Sequence, residues 1–503
     1  MAVAPNRIEV DGAAAPMTGW RTAPTYPPMR PRGRARRPSR MRKILSLRPF
    51  RLEIVLIIGY LVATRLFSLS AAKVGINLGP VPLFLTDLTL LALVGLAMLR
   101  RPGKLMFWLS SGRGATAAGV ALWLLCGISV IYFIIAFPVY KVMAVRDLAI
   151  FCYSLFFPLT YFAIGNRGWA IRVTRYCVYS GLVLAGMILA QKMTGIDLGL
   201  GVLSRDINGS WVAYVGGDDY GAIAASAMMG LIAYLMLERE YRYFHAIGAF
   251  VCLLAVAANG ARSAVVGAAL AGAICFVLLS TRYRIIFGVI CAALIFVVLA
   301  GATLPDTIPG APELHNLSIG ITSAVGGSSD MDAQFRIGRW HDVIGTWLTN
   351  PVFGVGYGKE ILNSVFVGSD SVGEFNEGMP HNTYLFLLAR MGLIGFGLVV
   401  FATLFGIGKL IASVRRYRQP DDLAALNVLV TLATYAAFVL FFERPMNNAG
   451  FWIMLAVGLR LAETSRAAMM ARLSMPRFMP ASLRVHSSYL NASGAAARIS
   501  SQA

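Results

Sequence analysis

Long apolar runs alternate with short polar stretches along most of this chain, and the rhythm predicts a bundle of membrane helices. The runs lie at roughly 53–72, 82–99, 116–137, 147–165, 173–193, 219–237, 244–260, 262–280, 285–304, 384–408, 423–442 and 446–462. Crossing a bilayer takes ~20 apolar residues, so these about twelve runs read as spans. Backbone groups surrounded by lipid must be satisfied within their own segment, which makes the spans helices. The expected fold is therefore all-α, a polytopic membrane domain over residues 51–462. The first run follows a long polar stretch and lacks a short apolar region with a cleavage site, so it reads as a span and not as a removable signal. No internal repeat is visible, which argues against a transporter built from inverted halves.

The polar stretches differ in length. The tail at 1–50 is rich in Pro, Arg and Ala without an apolar period, so disorder is expected there. The tail at 463–503 carries at most one basic amphipathic stretch. Among the connections assigned to the outer side, two are long, 194–218 and 305–383. Within the second, Trp340, Val343, Ile344, Trp347 and Leu348 recur at helical spacing and predict a helix over 335–349. At ~100° per residue Arg336 falls inside that apolar stripe, so it is expected to point at the membrane domain or a pocket beside it. The alternative is that Arg336 precedes the first turn and snorkels to water.

Composition sharpens this picture. The 503 residues are 57% hydrophobic and 14% charged, with a formal net charge of +21. Nucleic-acid binding would explain the charge, but its distribution does not fit. Most Lys and Arg fall in the tails and in connections assigned to the inner face, including Arg100-Arg101 and Arg415-Arg416. That is the positive-inside pattern, with both termini cytoplasmic and the basic tail an anchor to lipid headgroups. The six cysteines, Cys126, Cys152, Cys177, Cys252, Cys275 and Cys291, all fall in predicted spans, so no disulfide framework or Cys metal site is expected.

Candidate chemistry gathers where outer connections meet span ends. Lys141 and Arg146 border the fourth span, and Arg205 lies before the sixth. Arg262 sits in the tight turn N-G-A-R-S, and Arg336 and Arg339 lie in the long loop. A guanidinium presents a planar fork that binds phosphate oxygens in pairs. Charge at membrane depth is costly and often functional, although a snorkelling role for Arg262 stays open. His381, in P-H-N before the tenth span, is placed to exchange a proton with a hydroxyl; capping that helix together with Asn382 is the alternative. His315 and His341 show no metal-ligand spacing, so no metal is expected.

Asp330-Met331-Asp332 reads as a solvated loop, and Asp218-Asp219 as a helix cap that could otherwise orient an acceptor. Arg65 and Asp87, at equal depth in neighbouring spans, are expected to pair. Arg390 has no partner by spacing and is a candidate to line a cavity. Gly354, Gly356 and Gly358 allow close backbone approach and an anion nest. No phosphate-binding G-x-x-x-x-G-K-[ST] motif is present, and no cofactor is expected.

Arg205, G-A-R-S around Arg262, the run from Arg336 through N-P-V-F-G-V-G-Y-G, and H-N-T-Y-L followed by M-G-L-I-G occur in this order over about residues 200–400. In this the chain resembles the O-antigen ligase and polymerase family. The resemblance implies a bacterial inner-membrane enzyme with a large periplasmic loop and metal-independent, inverting glycosyl transfer from a polyprenyl-diphosphate-linked oligosaccharide to an acceptor glycan lipid. Carried over, Arg262 and Arg336 hold the diphosphate and His381 is the base. Arg205, Arg146, Arg339, Lys141 and Asn382 are further substrate-binding candidates. The chain departs from the family at Arg390, where an acidic residue is common, and at Gly217-Asp218-Asp219, which replaces a D-P-N-like stretch. The expected activity is polymerisation of repeat units into exopolysaccharide or O-antigen, with chain-length regulator and export proteins as partners. Alternatives are ligation to lipid A core, a flippase or transporter of an anionic lipid-linked sugar, and a non-catalytic assembly subunit.

Overall fold

The computed structural model describes residues 52–66, 75–78, 81–100, 115–194, 201–205, 211–215, 218–238, 240–259, 262–281, 283–285, 287–289, 292, 296, 331–359, 361, 382–439, 441–442 and 444–473. Every apolar run of the sequence except 285–304, which lies mostly outside them, carries a helix. In order these are α1 (Leu52–Leu66), α2 (Leu85–Arg100), α3 (Ala115–Tyr140), α4 (Val142–Cys152), α5 (Phe156–Ala163), α6 (Arg167–Thr194), α7 (Asp218–Leu237), α8 (Arg242–Asn259), α9 (Arg262–Leu278), α10 (Met331–Leu348), α11 (Thr383–Tyr417), α12 (Pro420–Tyr435) and α13 (Pro445–Leu473). A 3₁₀ turn, Tyr153–Leu155, joins α4 to α5.

Among the described residues, six helical stretches are long and apolar enough to cross a membrane, against about twelve expected by the ~20-residue criterion. The described residues are overwhelmingly helical, as the all-α expectation has it, and two short antiparallel hairpins accompany the helices. β1 (Gly75–Leu78) pairs with β2 (Val81–Phe84), and β3 (Gly201–Arg205) with β4 (Trp211–Val215). Both are short apolar segments flanking turn formers in the sequence, Gly79-Pro80 and Asn208-Gly209. Of the expected loop 305–383, residues 331–359, 361 and 382–383 are described.

α7 and α12 form the centre of the bundle. Their approach to neighbours depends on small residues, which let helix backbones come close where no water drives association. A Cβ on Gly181 would sit 2.6 Å from the Ala227 methyl, one on Gly230 would meet Val178 at 2.5 Å, and one on Gly267 would meet the Thr431 carbonyl at 2.6 Å. The flanks are apolar and uncovered, as lipid-facing surfaces are. Ile131, Ile134, Ile135 and Val139 on α3 are all exposed.

Two ends of the bundle carry polar groups. At the end that holds the start of α12, the base, Asp422 is fully buried and accepts from Arg167 (2.8 Å), Ser413 and Ser465. Its neighbour Asp421 accepts from Arg175 (3.1 Å) and Tyr234 (3.2 Å), and Arg175 also reaches Glu238 (3.0 Å). These contacts tie α6, α7, α11, α12 and α13 together, with both carboxylates in the first turn of α12, where the helix dipole favours negative charge. The opposite end, the rim, gathers the starts of α7, α11 and α13 and the close of α12.

The expected Arg65–Asp87 pair does not form. Arg65 donates to the Cys177 carbonyl (3.4 Å), while Asp87 accepts from the Phe84 amide and the Tyr153 hydroxyl, both at 2.8 Å. An aspartate in the first turn of α2 has helix amides nearer than a neighbouring span, and local capping wins.

Candidate functional site

The rim is organised by the turn between α12 and α13, a segment the sequence does not single out. Thr383, first residue of α11, donates its amide to the carbonyls of Ala436 (3.1 Å) and Val439 (3.2 Å). Its hydroxyl donates to Val439 O (3.0 Å) and accepts the amides of Phe441 (2.8 Å) and Phe442 (3.3 Å). From the other side Asn448 donates to the carbonyls of Phe442 (2.8 Å) and Ile150 (2.7 Å), fastening the turn to α4. Irregular backbone survives at membrane depth only when its polar groups are satisfied in this way.

Charged side chains meet at this turn. Arg336, in the second turn of α10, donates Nη1 to the Phe438 carbonyl (3.2 Å) and is half-buried, so it points inward as its place in the apolar stripe predicts. Asp219, in the first turn of α7, accepts from the Tyr435 hydroxyl (3.2 Å) and pairs with Arg444. Its carboxylate therefore spans to the two flanks of the turn. Arg262 is exposed at the head of α9. Cys275 donates to Asn427 Oδ1 (2.9 Å) and Gly267 abuts Thr431, so α9 and α12 run antiparallel. Five residues of helix carry Arg262 about 7.5 Å beyond Gly267, to the level of Tyr435.

Asn382 has a local task. Its Oδ1 accepts the amides of Tyr384 (3.0 Å) and Leu385 (3.1 Å), capping α11. Asn382→Ala is expected to cost about 1 kcal/mol. A thermal melt of the purified protein and faster amide exchange at the start of α11 would register it. His381, the residue before this cap, lies outside the described residues, as do His315 and Asp330.

A second construction lies further along α11. The helix breaks at Gly392 (φ 62°), and the loop after α10 fills the break. Val355 N donates to Ala389 O (2.7 Å) and Gly356 N to Arg390 O (3.1 Å), while Leu393 N donates to Pro351 O (2.9 Å) and Ile394 N to Val352 O (3.3 Å). Gly354, Gly356 and Gly358 all have positive φ. A Cβ on Gly354 would stand 2.6 Å from Ala389 O, the Arg390 carbonyl carbon and Gly392 N. The close approach expected of these glycines is thus realised. An anion nest is not, because the amides are engaged by carbonyls and by Asp147. Gly354→Ala should cost about 1–3 kcal/mol from the left-handed conformation alone. The loss would appear as a lower unfolding temperature and faster proteolysis of 350–361.

Arg390 finds its partner here. Its Nε stands 3.1 Å from Asp147 Oδ2, it donates to the carbonyls of Gly356 (3.2 Å) and Lys359, and its guanidinium lies over Phe386. Asp147 Oδ2 also accepts the Gly358 amide (2.7 Å). Both side chains are buried, so Arg390 holds the loop to the broken helix instead of lining a cavity. Lys141 (φ 46°), at the break between α3 and α4, and Arg146 are exposed beside this clasp. Arg205 ends β3 opposite Trp211, and Arg339 lies half-buried on α10.

The structure therefore brings Arg336 and the start of α11 to one turn and sets Arg262 at its level. Asp219, Tyr435 and Arg444 join that turn without having been expected there. Residues 247–400 match the family model described as O-antigen ligase. No curated protein matches the chain.

Proposed function

We propose, from the premise that residues 247–400 form a domain of the O-antigen ligase family, that this membrane protein transfers glycans from a polyprenyl diphosphate carrier. The reaction we assign is polymerisation of lipid-linked repeat units, without a metal, at a rim facing the periplasm of the inner membrane. One observation carries the reading. The Arg336 guanidinium and Thr383 at the start of α11, two residues after His381, are fastened to the same turn of backbone.

The chemistry follows from charge. The acceptor hydroxyl oxygen attacks the anomeric carbon, and the bond from that carbon to the phosphate oxygen breaks. The electron pair leaves with the diphosphate, where negative charge grows. Fixed guanidinium groups in a partly dry site stabilise that charge, with effects of ~3–4 kcal/mol for a well-placed donor. Arg336 and Arg262 take that role. His381 accepts the hydroxyl proton, the general-base step an imidazole is suited to. Cleavage of the bond between sugar and diphosphate supplies the driving force, so no nucleotide is needed.

Ligation to lipid A core is the second reading, favoured by the description of the matching family model. Reconstituted protein would be given polyprenyl-diphosphate repeat units with EDTA, with or without lipid A core. Growth of carrier-linked glycan is expected, and capture of glycan by lipid A core would favour the ligase. Movement of intact lipid across the bilayer with no new glycosidic bond would overturn both in favour of a flippase.

A further inference from the structure

We propose that Arg444 is an additional binding residue for the diphosphate of the lipid-linked donor, with Asp219 and Tyr435 as the groups that hold it in position. This rests on the transfer reaction assigned above and extends its site beyond the matched residues 247–400.

Arg444 stands at a helix start with a carboxylate beside it. It immediately precedes Pro445, first residue of α13, and its carbonyl accepts the amides of Asn447 and Asn448, both at 3.1 Å. That is the positive end of a helix dipole, where a cation is disfavoured and an anion is welcome. Negative charge close by offsets that modest cost. Asp219 supplies one such charge, itself oriented by Tyr435. The side chain of Arg444 is nonetheless 47% exposed while that of Asp219 is 14% exposed, so the pair presents its cation outward and its anion inward. The arrangement displays a fixed positive group.

What it faces is set by the turn it flanks. Arg444 and Tyr435 bracket residues 436–442, whose centre takes the Arg336 hydrogen bond, and Arg262 stands at the level of Tyr435. Arg262, Arg336 and Arg444 thus bring a set of three guanidinium groups to one turn. A diphosphate diester carries two negative charges and several acceptor oxygens, which match that set. Arg444 contributes to holding the donor, and Asp219 acts through Arg444.

The test uses the full-length protein in nanodiscs, with undecaprenyl diphosphate lacking sugar as binding probe and donor titrations for turnover. Arg444→Ala should weaken probe binding about tenfold, the equivalent of ~1.4 kcal/mol, and raise KM for the donor similarly with a smaller change in kcat. Arg444→Lys should recover part of the loss. Asp219→Asn should weaken binding less, and add nothing further in the Arg444→Ala background, because its effect runs through that guanidinium. If Arg444→Ala does not fold, Arg444→Gln carries the same comparison. Wild-type probe affinity in either variant of an active enzyme overturns this proposal and leaves the transfer reaction standing. Independent, additive effects of Asp219→Asn and Arg444→Ala overturn the positioning role. A wild-type protein that neither binds the probe nor transfers glycan removes the parent reading and this one together.

Discussion

Arg336→Ala is expected to cut glycan formation by about 10²- to 10³-fold, the loss typical of removing one preorganised donor from a site of developing negative charge. The effect should be this large because the guanidinium is held: it is half-buried and anchored to the Phe438 carbonyl, so little reorganisation is needed when the leaving group forms. Arg336→Lys keeps the charge and loses the planar fork, so only part of the rate should return. Initial rates in proteoliposomes, with insertion checked separately, measure both. A rate for Arg336→Ala within threefold of wild type would exclude Arg336 from the reaction.

Asp147→Ala should be the most damaging single change to stability, costing about 3–5 kcal/mol, because it strands Arg390 as a buried, unpaired charge. It also removes the acceptor of the Gly358 amide. Replacing both partners, as in Asp147→Leu with Arg390→Met, should cost less than Asp147→Ala alone, since no charge remains uncompensated. Unfolding midpoints in detergent and amide exchange across 351–358 would show it. Equal stability of Asp147→Ala and wild type would mean the clasp does not hold the loop.

Much of the architecture was readable from the chain because lipid imposes a simple rule: apolar runs that hide their own backbone become helices. The orientation of Arg336 was readable for a related reason, since a residue inside an apolar helical stripe faces what the stripe packs on. Arg65 and Asp87 misled because equal depth says nothing about competing amides nearby. The glycine loop was half legible. Its glycines announced close approach, but the break at Gly392 that receives it sits in an apolar stretch, M-G-L-I-G, indistinguishable from continuous helix. Arg444 belongs to no motif, and its significance appears only when α7, α12 and α13 close around one turn. Asp421 and Asp422 belong to no motif either, because their arginine partners come from α6, some 250 residues earlier.

The central claim is that a sugar leaves its lipid diphosphate at the rim, with arginines holding the carrier and an imidazole taking the proton. Counting released polyprenyl diphosphate against new glycosidic bonds, in the purified protein and in His381→Ala, tests it most directly. One carrier freed per bond formed, with both falling together in the variant, is the predicted result. Carrier crossing the bilayer with its glycan still attached, or transfer undiminished without His381, would contradict it.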